Sequence, residues 1–130
     1  MWRRCAVAVV LITIGCGRGA PDTRVDPVIL AERTALDRLA QRDPKGFLDL
    51  YTPETSSFDP AVARIDMDRY EMLNPKVHHH DEVAVLAFNL VSYRRQSDGT
   101  EVVTNRWNVT EVYHHLGRRW TIIHSHWSRA

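Results

Sequence analysis

Strict alternation near the C-terminus constrains this chain most. Asn105, Trp107, Val109, Glu111 and Tyr113 fall on one side of an extended strand, and Thr104, Arg106, Asn108, Thr110 and Val112 on the other. A helix would scatter both sets around its circumference, so this stretch belongs in a sheet. Gly117 turns it into Arg119 to Trp127, where Thr121, Ile123, Ser125 and Trp127 oppose Trp120, Ile122, His124 and His126. Upstream, Val83 to Tyr93 carries β-formers on both faces, as a well-covered strand would. Tyr70 to Val77 reads as a further strand, with Pro75 confining it to an edge or a bulge. Ser97-Asp98-Gly99 is a turn signal. The second half is therefore a four-stranded antiparallel meander.

The first half follows a different period. Asp26-Pro27 is a helix start, an acid at the cap with proline at the first helical position. Val28, Ala31, Ala35 and Leu39 recur at three- and four-residue spacing, which predicts an amphipathic helix from Pro27 to about Gln41. Asp43-Pro44 repeats the signal before a short second helix carrying Phe47, Leu48, Leu50 and Tyr51. Thr52 to Asp59 reads as a loop or short strand. Helices followed by strands make an α+β fold. With 130 residues, 44% of them hydrophobic, the chain has one domain's worth of core.

Residues 1–15 read as a signal peptide: Arg3 and Arg4 precede an apolar run from Cys5 to Ile14 that is too short for a bilayer-spanning helix. Ile14-Gly15-Cys16 is similar to the end of a bacterial lipobox, which makes Cys16 the expected lipidated N-terminus. An ordinary secretory signal cut nearby is the alternative. Residues 16–26 form a tether rich in Gly, Pro and charge, and residues 27–130 the domain. The expected location is the bacterial cell envelope, with membrane contact only through the anchor. Seventeen basic residues against sixteen acidic ones leave no basic excess for a nucleic-acid partner. Beyond residue 15 the single cysteine excludes a disulfide framework and a cysteine metal site.

The C-terminal residues also carry a resemblance. Thr110-Glu111-Val112-Tyr113, Gly117, Trp120 and His124-Ser125-His126-Trp127-Ser128 form a pattern that resembles the NTF2-like superfamily, nearest its SnoaL-like and calcium/calmodulin-dependent kinase II association-domain branches. The front agrees in its helix, Asp43, second helix, Leu50-Tyr51 and Phe58-Asp59-Pro60. The resemblance spans most of residues 28–128. It implies an NTF2-like cone, with N-terminal helices packed on a curved antiparallel sheet, a deep pocket and a homodimer. It places Asp59 where steroid isomerases hold a general base, and Glu111 where they hold a protonated acid. Their helix tyrosine falls near Ala35 and is absent here. Ala61 to Arg69 is too short for the family's third helix, so that helix is expected to be missing and the cone open or shortened.

Glu111 shares its face with Trp107 and Tyr113, and Trp127 can join them. Ser125 and Trp127 complete the expected ligand pocket, suited to a small apolar or aromatic molecule. An apolar surround favours a neutral carboxyl, so Glu111 as acid beside an ionised Asp59 could move a proton next to a carbonyl. That gives a ketosteroid-isomerase-like, dehydratase-like or hydrolase-like enzyme as one reading. The other is a binding or oligomerisation module, with Asp59 capping a turn and Glu111 paired with an arginine such as Arg94 or Arg119. His78-His79-His80 cannot converge on one ion from a strand, and His124 and His126 fit a sheet or dimer surface better than a metal site. No metal and no cofactor is expected.

Overall fold

A computed structural model describes residues 25–58 and 65–130. Helix α1 (Pro27–Ala40) starts where expected: Asp26 Oδ1 accepts from Val28 N at 2.9 Å, and Pro27 opens the first turn. Its stripe of Val28, Ala35, Leu36 and Leu39 is buried. Helix α2 (Lys45–Leu48) is shorter than its sequence suggests. Tyr51 leaves the helix to begin strand β1 (Tyr51–Phe58). Gly46 lets α2 close on α1, since a Cβ there would stand 2.8 Å from Arg38 Cβ and 3.1 Å from the Ala35 carbonyl oxygen.

Strands β2 (Arg69–His80), β3 (Val83–Arg95), β4 (Glu101–Leu116) and β5 (Arg119–Arg129) form the expected antiparallel meander. The full order is β1-β5-β4-β3-β2, and β1 runs parallel to β5. The sheet is thus mixed rather than wholly antiparallel. After α2 the chain lays its polar run along the free edge of β5, where Thr55 Oγ1 donates to the Ile122 carbonyl at 2.6 Å. Proline 53 is tolerated because β1 is an edge strand. Pro75 also lies on an edge strand, inside a register shift between Leu73 and Lys76.

The alternation expected on β4 holds, with Trp107, Val109, Glu111 and Tyr113 all buried. That on β5 needs a correction. Tyr113 pairs with Ile122 and Val112 with His124, so Ile123 is an extra residue in a bulge. Ile122, Ser125 and Trp127 consequently all face inward, although simple parity puts Ile122 opposite the other two. Among the described residues there are two helices, and residues 65–68 carry none. The remainder of the third-helix segment lies outside the described residues, as do the signal peptide and most of the tether. No described helix is long and apolar enough to cross a membrane.

Candidate functional site

The inner face of the sheet and the buried stripe of α1 enclose a core in which two carboxyl groups are fully buried. Glu111 is one, at the centre of β4. Its Oε1 accepts from Trp127 Nε1 at 2.7 Å and from Ser125 Oγ at 3.1 Å. Ser125 Oγ in turn accepts from the Tyr51 hydroxyl at 3.3 Å. The Ile123 bulge makes this cluster possible, because it turns Ser125 and Trp127 toward Glu111. The two arginines considered as its partners are engaged elsewhere: Arg94 with Asp66 at 2.8 Å, and Arg119 with the Asp49 carbonyl at 2.9 Å.

The second buried acid is Glu32 on α1, which sequence reasoning missed. The Tyr113 hydroxyl donates a short hydrogen bond to its Oε2, while its Oε1 has no partner among the described residues. Burial raises the Glu32 carboxyl from the ordinary 4.5 to about 7, partly offset by the Tyr113 bond. Burial also pushes the Tyr113 phenol well above its usual range, helped by the charges of Glu32 and then Glu111. Tyr113 thus ties β4 to the acid on α1. The signal was present in the sequence: Glu32 sits four residues from both Val28 and Leu36, an acid inside an apolar stripe.

Aromatic rings wall this interior. The Trp127 ring meets Trp107 at 6.1 Å, Phe47 at 5.9 Å and Phe88 at 6.4 Å, each edge to face. Glu111, Ser125, Trp127, Tyr113 and Trp107 all lie in this buried interior. Asp59 and Cys16 lie outside the described residues. An open groove of about 600 Å³ between α1 and β2 is lined by Arg33, Asp37, Tyr70 and Met72. Glu111 is not in its wall.

The histidines spread along rims and the outer face. His79 Nε2 meets Asp26 Oδ2 at 2.8 Å, and its ring stands edge-on to Trp120. His124 Nδ1 bonds Ser56 Oγ at 2.8 Å on the face opposite Trp127. Among the described residues no three His, Cys, Asp or Glu side chains are gathered as a metal would require.

A helix cradled by a curved five-stranded mixed sheet around a polar-centred core defines an NTF2-like α+β cone. The family model for the calcium/calmodulin dependent protein kinase II association domain matches residues 63–130. The chain belongs to that family. A ketosteroid isomerase-like protein of Parabacteroides distasonis is 30% identical, with a TM-score of 0.65 over 79% of this chain and 85% of its own. The association domain of the C. elegans kinase is 20% identical, with a TM-score of 0.63 over 78% of this chain and 92% of its own. The S. rosetta kinase hub is 19% identical, with a TM-score of 0.65 over 85% of this chain and 100% of its own. No curated protein matches the chain. These neighbours share the fold of this chain.

Proposed function

We propose that this chain is an exported, lipid-anchored self-association module that forms a homodimer through the outer face of its sheet. The composition of that face carries the reading. Val85, Ala87 and Asn89 of β3, Val112, Thr110 and Asn108 of β4, and His124, His126 and Ser128 of β5 lie opposite the buried set. None of these nine central positions is Asp, Glu, Lys or Arg; Arg106 on β4 and Lys76 on β2 border them. Such depletion of charge is what the centre of a protein interface requires. Phe58, 72% exposed, borders it from β1 with its ring edge-on to His124. Hub domains among the structural neighbours support the same conclusion. Light scattering on the purified chain should give twice the chain mass, and Thr110→Arg in the middle of the face should halve it with the circular dichroism unchanged. A monomeric parent chain would sink the reading. Export and anchoring follow from the N-terminal pattern: radiolabelled palmitate should enter the membrane-bound chain and be lost in Cys16→Ser.

A second reading is favoured by Glu111. A carboxyl held by an indole N–H and a serine among aromatic rings has the chemistry to bind a small apolar or aromatic ligand, and its full burial means that such a ligand enters only when the core opens. With Asp59 as general base, the same group would serve isomerase-like, dehydratase-like or hydrolase-like proton transfer. Ligand titrations followed by Trp127 fluorescence, repeated in Glu111→Gln, test it; unchanged affinity in the variant would remove Glu111 from the site.

A further inference from the structure

We infer that the corner built from the start of α1, α2 and the β4–β5 turn is a membrane-facing surface that lies against anionic headgroups. This rests on the lipid-anchored reading above. Pro27, Leu30, Ala31, Thr34 and Arg38 recur at helical spacing along α1 and wall one side of an open groove of about 380 Å³. Gly46, Asp49, Leu50 and Arg119 wall the other. Large apolar side chains stand around it in water: Leu30 is 57% exposed and Leu48 53%. Val25 lies two residues before Pro27, and Leu116 pairs in register with Arg119; both are exposed as well.

The charges at this corner are unequal. Asp43 and Asp49 share one cation, Arg38, at 2.7 Å and 3.1 Å, and Asp26 caps α1 beside His79. Lys45, Arg118 and Arg119 are exposed at its margin, so four cations stand against three acids. Exposed leucines beside a cation excess are the pattern that settles proteins at a headgroup boundary, through buried apolar area plus attraction to anionic lipid. The chain's own anchor selects this occupant over a second copy. Eight residues separate Cys16 from Val25, so Val25, two residues before α1, stays within about 30 Å of a lipid on Cys16. Tethering makes docking intramolecular, so a weak surface suffices.

The test uses the full chain, purified from membranes and reconstituted in vesicles of phosphatidylethanolamine and phosphatidylglycerol carrying a nitroxide lipid. A fluorescent amino acid replaces Leu48 in one protein and the exposed Ser97, in the turn between β3 and β4 at the opposite end of the sheet, in another. Quenching at position 48 should exceed that at position 97 at least threefold. Leu30→Glu combined with Arg118→Glu should abolish the difference; both side chains are exposed, and circular dichroism checks their fold. Equal quenching at the two positions overturns the inference. So does a concentration-dependent spectral change at position 48 without vesicles, which would assign the corner to a second copy. Mass spectrometry of Cys16 reads the anchor separately. If no lipid is found there, added vesicles must still quench position 48 preferentially, or the docking surface falls too.

Discussion

Glu32 sits in the apolar stripe of α1 with its only described partner on β4, and this makes the fold sensitive to alkali. The folded chain holds the Glu32 proton up to about pH 7, whereas the unfolded chain releases it near 4.5. The neutral acid is the form the fold favours, so this contribution is fully present below pH 4.5 and is lost as pH rises through 7. The loss is on the order of 3 kcal/mol, from about 1.4 kcal/mol per unit. Urea unfolding at pH 5, 6, 7 and 8 should show this decline, and Glu32→Gln should flatten it and be the more stable protein at pH 8. Parallel curves for the two proteins would contradict the assignment. On β4, Trp127→Phe keeps most of the ring packing but removes one donor from buried Glu111, at an expected cost of about 1–3 kcal/mol. Equal urea midpoints for the variant and the parent would show that the bond contributes nothing. Glu111 was legible because alternation alone places it among indoles. Glu32 shows only as an acid between Val28 and Leu36 in the stripe, a weak signal because a single acid does not break the apolar period.

At the scale of elements, the same contrast separates local from non-local signals. Helix α1, its cap and the meander follow from short-range spacing. The pairing of β1 with β5 depends on residues about seventy positions apart, such as Ser57 with Ser125, and the Thr-Pro-Glu-Thr-Ser-Ser run has no apolar period to announce a strand. The Ile123 bulge is equally silent, since nothing in Thr121-Ile122-Ile123-His124 marks which residue is extra. The junction of α2 with α1 turns on Gly46. Gly46→Ala forces a methyl against Arg38 Cβ and the Ala35 carbonyl, and should destabilise by about 1–3 kcal/mol despite the gain in helix propensity. Thermal unfolding measures it, and a raised midpoint would mean the two helices separate without cost.

At the scale of the whole molecule, the last strands announced the class of the cone, whereas residues 59–64 lie outside the described set. The dimer proposed through the sheet face leaves both sheet edges, β1 and β2, uncovered. Each contains a proline, Pro53 and Pro75, and each departs from regular register around it. A proline offers no amide hydrogen, so neither rim presents an unbroken template for another chain's strand. Growth by rim-to-rim addition is thereby frustrated, and concentrated copies should remain discrete particles rather than extend into fibres.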